Sequence, residues 1–571
     1  MNYFNNFADF FASTLPASGA GSIWQVAGGY SYQEADSATT DFDVTNAAGV
    51  KFHVEAGPYG SPQDIQFGLF DDPVLAMDQT AAFEKFIAKG GTLLVTAGNT
   101  YKLSTADQVE TASATSIRPT AEGELCKLVG STGNRLFKPL HSLSIAGLEA
   151  TGFEAVCSMI SSVDIPLFEI RDCYVHDQDY LYRGAVQCDD LIIEDNVFER
   201  FSAGLVFEDG SSIVRNRQSF SRNRINDVAR YVYRLSADAP LWFKDNHITD
   251  VHSGTFTGTA GVVRFIQRGS RKTNIVTGNT CLGAVASTAN CVFMYWSHGD
   301  LVFSNNTIGG FESDASSCYV IQEKSSGEKS LVMHDNNFVN DPKPSKVNQL
   351  IYLLTSRENQ QRPRSIQGNC IETLQGRFLS VYDNDSLTDT VDFTGDNLDS
   401  EPCSITVQNN IIYNLQSSSF VGVTQGVWGL SVLNNQCWNH SNPDGLIQGG
   451  TTEATKSIIS LASTVPNATM KNVVCSGNNW RFTNMDESPE TISAISFVTA
   501  LKPESETELV VQSNTVSGAD HLHSHRNKQG AFNLALKDNT LLGGIAGTEI
   551  EGASVGDGIT ELLNSRNDVL G

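Results

Sequence analysis

Carboxyl side chains follow short apolar runs at several places in this sequence, and their positions suggest one kind of chemistry. Hydrolysis of a glycosidic bond needs two carboxyl groups that flank the bond, and their separation decides the stereochemical outcome. Glu208 with Asp209 is the first candidate pair, and Glu323 with Glu358 is the second. Either pair could instead be an ordinary solvated charge on a surface. These four residues are therefore the catalytic candidates if the chain is a glycosidase.

Aromatic and basic side chains occur in the same apolar runs as these carboxyls. Rings of Tyr and Trp have an apolar face that can stack on a sugar ring, and charged side chains can bind hydroxyl groups. The candidates for substrate binding are Arg234, Arg264, Arg268, Tyr295, Trp296, His298 and Tyr382. Because successive side chains of a strand point to opposite faces, about half of such a stripe should be buried.

Elimination at a uronic acid is the alternative reaction. It needs a base such as His298 beside a cation, Arg264 or Arg268, that neutralises the sugar carboxylate. The sequence has no evident cluster of aspartates that could hold calcium. It therefore favours hydrolysis over elimination, and we expect neither a cofactor nor a bound metal.

An asparagine that directly follows a strand-like run recurs along most of the chain. The intervals between neighbours are mostly 23–36 residues, and the two longer ones fit one coil plus an insertion. Asp172 precedes the series in the same sequence context, and Asn397 is an imperfect member. The series consists of Asn196, Asn223, Asn246, Asn279, Asn306, Asn336, Asn369, Asn410, Asn435, Asn478, Asn514 and Asn539.

Two repeat architectures could use such a motif. A propeller blade has four strands joined by hairpins and a period of about 40–50 residues, whereas Asn-Gly hairpin turns are scarce here. A parallel β-helix stacks shorter coils of two or three strands, and this is the architecture that we expect. Asparagine tolerates the left-handed backbone of a tight bend, and its amide can pair along the stack. The repeated asparagines should therefore form a structural ladder with no catalytic role.

The composition limits the partners of this chain. It has 64 acidic against 38 basic residues and a formal charge of -26, which excludes nucleic acid as a partner. No apolar stretch approaches 18 residues, which excludes membrane insertion. The N-terminus lacks the basic region of a secretory leader, and the 11 cysteines contain no CxxC pair. We expect synthesis in a cytosol, with the cysteines as buried free thiols.

The segment "DQTAAFEKFIAKGGTLLVTAGNTYKLS" over residues 78–104 predicts how the coil begins. Asp78 can cap a helix whose apolar face carries Phe83, Phe86 and Ile87, and Gly90 with Gly91 ends it. This segment resembles the start of the pectate-lyase-like right-handed β-helix superfamily, above all phage tailspikes. The resemblance implies an all-β fold: a right-handed single-stranded parallel β-helix with a short N-terminal capping helix.

The resemblance also implies an order of segments. Residues 1–50 would form a particle-attachment or partner-binding segment, and residues 51–125 the start of the β-helix with its capping helix. Residues 126–545 would form the β-helix itself, and residues 546–571 a short C-terminal segment.

A function follows from the same resemblance. The chain would be a phage tailspike, a receptor-binding protein that binds a bacterial surface polysaccharide and cleaves it endolytically, with a glycosidase favoured over a lyase. Further expectations are a homotrimer, attachment to a phage tail or baseplate protein through the N-terminus, synthesis in the host cytoplasm and a place in the virion tail. A non-catalytic tail fibre or adhesin is the alternative. A secreted bacterial lyase is disfavoured by the missing leader.

Overall fold

A computed structural model describes 22 stretches of the chain. They are residues 2–106, 108–111, 113–159, 164–185, 187–207, 213–253, 260–267, 272–286, 291–296, 299–313, 318–323, 329–355, 363–383, 404–424, 427–442, 456–462, 470–485, 492–497, 507–525, 532–543, 550–551 and 559–570. The chain divides into two compact units, Met1–Trp242 and Phe243–Gly571.

The first unit opens with a small sheet and a short helix. The helix Phe7–Phe11 is capped by the Asn6 side chain, which accepts a hydrogen bond from the Asp9 backbone at 2.8 Å. Phe10, Trp24 and Phe52 are fully buried between the helix and the sheet. The five strands of the sheet are Asn2–Phe4, Ile23–Val26, Tyr30–Glu34, Val44–Thr45 and Lys51–Val54.

The capping helix covers Thr80–Ala88 and follows a 3₁₀ turn at Asp64–Phe67. The N-cap residue is Gln79, not Asp78 as predicted, and Asp78, one residue earlier, accepts a hydrogen bond from the Thr80 backbone at 2.9 Å. The face with Phe83, Phe86 and Ile87 is buried, as the sequence predicted. Gly90 has a left-handed backbone (φ 65°), and a Cβ there would lie 1.7 Å from the Ser113 hydroxyl. Only glycine therefore fits where the helix turns into the first strand.

In the first unit the chain then winds through three parallel sheets. The first sheet contains Gly91–Val95, Thr115–Pro119, Leu143–Ala146, Ile165–Arg171, Gln187–Glu194 and Ile213–Ser221. The second sheet contains Thr100–Lys102, Cys126–Val129, Leu148–Thr151, Tyr174–Gln178, Val197–Phe201 and Arg224–Ala229. The third sheet contains Val109–Thr111, Arg135–Pro139, Ala155–Met159, Tyr180–Gly184, Val206–Phe207 and Tyr231–Ala237. The unit ends within the strand Leu241–Lys244.

The second unit repeats this arrangement. Its first sheet contains Thr273–Thr277, Asp300–Ser304, Leu331–His334, Arg364–Gln367, Ile405–Gln408, Val427–Leu433, Met470–Ser476, Thr507–Gln512, Phe532–Lys537 and Ile559–Ser565. Its second sheet contains His247–His252, Thr280–Ala286, Thr307–Gly309, Asn337–Val339, Cys370–Asp383, Ile411–Gln416, Gln436–Asn442, Asn479–Met485, Thr515–Ser517, Thr540–Leu542 and Asp568–Leu570. Its third sheet contains Ala260–Gln267, Cys291–Trp296, Cys318–Glu323, Ser345–Thr355, the end of Cys370–Asp383, Ser419–Thr424, Lys456–Ala462, Ile492–Phe497, His521–His525 and Ile550–Glu551. Glu312–Ser313 is a short additional strand.

Each sheet places the same kind of side chain in the interior, coil after coil. In the first sheet of the second unit, register partners form one continuous apolar column in which each member is fully buried. The column consists of Val276, Phe303, Met333, Ile366, Val407, Val432, Cys475, Val511 and Leu536. Successive coils of one chain therefore pair in parallel, as in a single-stranded parallel β-helix. Connections between parallel strands of one sheet are right-handed in nearly all proteins, and the predicted right-handed β-helix is confirmed.

The asparagine ladder forms as predicted. In the second unit, from Asn246 to Asn567, the side-chain nitrogen of each ladder asparagine donates a hydrogen bond to the Oδ1 atom of the next one. The distances are 2.8–3.0 Å. In the first unit Asn196 donates to Asn223 at 3.0 Å. Direct bonds from Asn369 to Asn410 and from Asn435 to Asn478 show that each longer interval is one coil with an insertion. Asn397 lies outside the described residues.

One part of the ladder prediction was wrong. The left-handed residue of each bend precedes the ladder asparagine, as at Asp195 (φ 61°) and Asn305 (φ 54°). Asp172 (φ 51°) occupies this preceding position, and the Cys173 backbone donates to Asn196 at 3.0 Å. The side-chain amide of a ladder asparagine must reach both neighbouring coils. The asparagine therefore stays outside the left-handed φ region, and the residue before it makes the bend.

The cysteines agree with the expectation of buried free thiols. The ten described cysteines are free, and all but Cys370 are buried. None of the helices within the described residues is long and apolar enough to span a membrane.

Candidate functional site

The third sheet of the first unit carries alternating arginine and aromatic side chains on neighbouring coils. Arg183 is the register partner of Phe207, and Phe207 is the register partner of Arg234. The alternate positions face the interior, where Tyr182 and Tyr233 are buried. We call the group formed by Tyr180, Arg183, Phe207, Arg230, Tyr231 and Arg234 the arginine–aromatic patch. Its three arginines are partly exposed, whereas its rings are buried, with Phe207 7% and Tyr231 1% exposed.

The guanidinium groups of the patch lie over its rings. Arg230 and Arg234 each place the guanidinium carbon 4.6 Å from the centre of the Phe207 ring. Arg183 lies 5.3 Å from the Tyr180 ring, and the Phe207 ring is 5.6 Å from that of Tyr180. Cation–π contact with a ring stabilises the position of each guanidinium.

The Glu154 carboxylate contacts this patch through Arg183. It accepts hydrogen bonds from Arg183 at 2.5 Å and from Arg135 at 3.1 Å. Burial raises the pKa of Glu154, but the two arginines outweigh burial and hold its pKa below the ordinary value. The carboxylate is therefore ionised at neutral pH and orients Arg183, while the patch as a whole stays basic in a strongly acidic chain.

A second polar group of side chains lies on the second sheet of the same unit. We call Glu149, Tyr174, His176, Asp177, Glu199 and Arg200 the histidine–carboxylate cluster. Nδ1 of His176 lies 2.6 Å from Asp177, and Nε2 lies 3.1 Å from Glu149 on the preceding coil. The Tyr174 and His176 rings are stacked with their centres 4.4 Å apart, because they lie two residues apart on one face of a strand.

Arg200 closes this cluster from the next coil. It donates to both carboxylate oxygens of Asp177, at 2.6 and 2.9 Å, and to Glu199 at 2.9 Å. The Arg200 hydrogen bond lowers the pKa of Asp177 well below its usual range. Burial and a hydrogen bond to Glu199 raise the pKa of Tyr174. The cluster thus combines ionised carboxylates, an imidazole and a phenol, which are groups that could transfer a proton.

Five of the predicted site residues lie outside the described residues: Glu208, Asp209, Arg268, His298 and Glu358. Arg264 is placed by its backbone alone, as the register partner of Tyr295. Arg234 is part of the arginine–aromatic patch. The structure therefore brings only this one predicted binding residue into the patch.

Glu323 and Trp296 are fully buried in the second unit. The Glu323 carboxylate lies 3.1 Å from both Lys329 and Arg364 and accepts a hydrogen bond from the Leu354 backbone at 2.7 Å. The Trp296 indole donates to the Gly299 carbonyl at 2.8 Å and stacks under Lys329. A surface-bound glycan reaches neither side chain as placed, and neither belongs to the site proposed below.

Tyr295 and Tyr382 are partly exposed on the third sheet of the second unit. The Tyr382 ring lies 6.4 Å from that of Tyr352, with the two planes 26° apart. Burial, with the neighbouring Tyr319 and Tyr382, raises the pKa of Tyr352 to about 12. These rings give the second unit an aromatic surface of its own.

Sequence reasoning missed Arg183, Phe207, Arg230 and the whole histidine–carboxylate cluster. The signal that could have found the patch is coil spacing. Phe207 lies 24 residues after Arg183 and 27 residues before Arg234, and these intervals match those of the asparagine series. The same spacing occurs in the histidine–carboxylate cluster, because Arg200 follows Asp177 by 23 residues and lies opposite it in the register of the two strands.

No family model and no curated protein matches this sequence. Similar solved structures include the A-module of the mannuronan C-5 epimerase AlgE4 from Azotobacter vinelandii (13% identity, TM-score 0.28, 90% of this chain and 100% of that one). The tailspike protein of Acinetobacter baumannii phage AM24 is also similar (11% identity, TM-score 0.20, 96% of this chain and 67% of that one). A third is the catalytic unit of a GH87 α-1,3-glucanase from Streptomyces thermodiastaticus (11% identity, TM-score 0.30, 92% of this chain and 74% of that one).

Proposed function

We propose that this protein is a tailspike-like receptor-binding protein that binds a bacterial surface polysaccharide and cleaves it endolytically. The observation that carries the proposal is the arginine–aromatic patch. Arg183, Arg230 and Arg234 place three partly exposed cationic groups over aromatic rings on stacked coils. Stacked coils are about 4.8 Å apart, so the patch is a repeating surface suited to an extended polymer with acidic sugars.

For the reaction, we propose hydrolysis with Glu208 and Asp209 as the catalytic carboxyls. They directly follow Phe207, a member of the patch, in the sequence. Glu358 remains a weaker candidate, since its proposed partner Glu323 is held by two buried cations. Arg264, Arg268, Tyr295, His298 and Tyr382 of the second unit remain proposed substrate-binding residues.

A lyase or epimerase reaction is the second candidate. It is favoured by the histidine–carboxylate cluster, where His176 and Tyr174 are stacked beside Arg200. Abstraction of the proton next to a uronate carboxylate needs a base and a cation of these kinds. A non-catalytic fibre or adhesin that uses only the patch is the third candidate.

The biological setting is also part of the proposal. We place the protein in the virion tail as a homotrimer, attached to a tail or baseplate protein through its N-terminal segment. The five-stranded sheet of that segment, which ends at Val54, gives it a folded surface for such attachment.

The test is incubation with an array of purified bacterial capsular and O-antigen polysaccharides. New reducing ends without the ultraviolet absorbance of an unsaturated uronate support hydrolysis, and reducing ends with that absorbance support elimination. Glu208→Gln and Asp209→Asn should abolish the first signal, whereas His176→Gln should abolish the second. Binding without any product supports the non-catalytic candidate, and the absence of both binding and product overturns the proposal.

A further inference from the structure

We infer that the second sheet of the second unit carries a separate saccharide-binding platform formed by Tyr413 and Trp438. These two side chains are 48% and 58% exposed, which is unusual for large aromatic residues in the ordered sheets of this protein. They lie on a different sheet from the proposed substrate-binding residues Tyr295 and Tyr382. The inference rests on the proposed function only in taking a glycan as the ligand class.

The two aromatic residues are adjacent on neighbouring coils. Ile412 is the register partner of Cys437, so the next residues, Tyr413 and Trp438, share one row. Both interior partners are buried, and therefore the alternation of the strand turns Tyr413 and Trp438 outward. Two rings about 4.8 Å apart along the coil axis offer a continuous apolar surface.

Charged residues end this row on both sides. Glu372 lies on the coil before Tyr413, and Arg481 lies on the coil after Trp438. Both are exposed. The Glu372 carboxylate accepts one hydrogen bond, from the Asn340 backbone at 2.7 Å, which leaves further acceptor sites directed to solvent. Along the coil axis, the row therefore consists of a carboxylate, two aromatic rings and a guanidinium group.

The register shifts where Trp438 meets the following coil. Cys437 pairs with Trp480 and His440 pairs with Phe482, so Trp438 and Asn439 together oppose Arg481. A β-bulge of this kind redirects a side chain and occurs often beside functional sites. Its effect here is to keep Trp438 outward over the Arg481 position.

A row of hydrogen-bonded amides lies beside the rings in the sequence of both strands. Asn439 donates to the Asn414 side chain at 3.0 Å, and Asn414 donates to the Glu372 carbonyl at 3.2 Å and to Thr373 at 3.3 Å. Both amides are partly exposed. An apolar ring flanked by oriented amides matches a pyranose, which has an apolar face and a rim of hydroxyl groups.

The occupant is therefore a stretch of pyranose units that lies along the coil axis. Charges at both ends of the row and hydrogen-bonding groups along its side are complementary to a polyhydroxylated chain. They would be costly to bury in an apolar contact between protein surfaces. A second copy of this chain is the competing occupant, and the experiment separates the two.

The experiment measures affinity of the intact protein for the array polysaccharide that binds the wild type most tightly, by affinity electrophoresis at 4 °C. Trp438→Ala and Tyr413→Ala should each weaken binding about tenfold, which corresponds to the loss of one strong contact. Trp438→Phe keeps a ring and should stay within about threefold of the wild type. Tyr59→Ala, which removes a 65% exposed tyrosine elsewhere, should leave affinity unchanged.

Three results would overturn the inference. In the first, Trp438→Ala and Tyr413→Ala bind the polysaccharide as tightly as the wild type does, while Arg234→Ala loses binding. This result would leave the proposed function intact. The second is an oligomer that Trp438→Ala dissociates in sedimentation equilibrium, since the platform would then lie between copies. The third is no polysaccharide binding by the wild type, which would remove the proposed function as well.

Discussion

Arg234 and Phe207 are register partners on neighbouring coils, and the guanidinium carbon of Arg234 lies 4.6 Å from the centre of the Phe207 ring. The pair couples a cation to an aromatic surface at the place where the sequence continues into Glu208 and Asp209. A ligand with acidic sugars would meet the guanidinium, because the ring beneath it is only 7% exposed.

Arg234→Ala should therefore weaken polysaccharide binding about tenfold at low ionic strength, and the difference should shrink in high salt because screening reduces the charge contribution. Affinity electrophoresis at two salt concentrations measures this. Arg217→Ala is the matched control, since Arg217 lies 6.0 Å over the Trp242 ring on another strand. Equal losses in both variants would contradict a binding role that is specific to Arg234.

The stability of the second unit should depend strongly on the asparagine ladder. Asn336 is fully buried, donates to Asn369, Phe303 and His334 and accepts from Asn306. Asn336→Ala leaves several buried polar groups without partners, and it should lower the free energy of unfolding by about 2–4 kcal/mol in urea titrations. The neighbouring Asn337 is exposed, and Asn337→Ala should change stability by less than about 0.5 kcal/mol. A similar effect of both substitutions would show that the ladder is not the cause.

The buried cluster of Glu323, Lys329 and Arg364 predicts a loss of stability when one charge is removed. Burial lowers the pKa of Lys329, and Glu323 opposes this shift. Glu323→Leu should lower the free energy of unfolding by about 3–5 kcal/mol, because it leaves buried cations uncompensated.

Adding Arg364→Met to that variant should recover part of the loss, which a double-mutant cycle in urea measures. The result also bears on catalysis. If Glu323→Leu unfolds like the wild type but no longer cleaves polysaccharide, Glu323 would be a catalytic residue and the assignment to a structural cluster would be wrong.

His440 predicts a dependence of stability on pH. It is fully buried, accepts a hydrogen bond from the Trp480 indole at 3.0 Å and lies 2.8 Å from the Ser417 carbonyl. Burial, aided by the nearby Lys456 and opposed by Ser417, lowers the pKa of His440 to about 4. The unfolded chain therefore binds more protons than the folded one between pH 6.5, about the ordinary histidine value, and pH 4.

The stability contributed by neutral His440 is fully present above pH 6.5 and is lost as the pH falls towards about 4, by up to about 3 kcal/mol. Urea unfolding at pH 7 and pH 4.5 measures the loss in the wild type and in His440→Gln, which cannot titrate. The loss between the two pH values should be about 2 kcal/mol smaller in the variant. An identical loss in both proteins would assign the acid sensitivity to other groups.

The sequence was sufficient for the fold because the same local pattern occurs in every coil. An apolar run, a bend and an asparagine specify a coil, and stacking makes each copy support the next. It was insufficient for the details of the bend. Asp195 and Asn196 are both small polar residues that suit a turn, and only the backbone geometry shows that Asp195 is left-handed while Asn196 is in the ladder.

The candidate site was predictable only in part. Arg234 was found because the stripe of charged and aromatic residues is visible in the sequence. Trp296 and Glu323 were chosen by the same rule, yet they are buried. Residue type cannot tell the two faces of a strand apart when both carry large or charged side chains.

The amino-acid sequence by itself determined the stacked parallel coils, the capping helix and the buried asparagine ladder, because these follow from local patterns repeated at a regular spacing. Only the tertiary structure decided which side chains meet. Partners such as Phe207 with Arg234, or Glu323 with Arg364, lie on different coils or sheets, and one residue of register or one bulge changes which groups face each other.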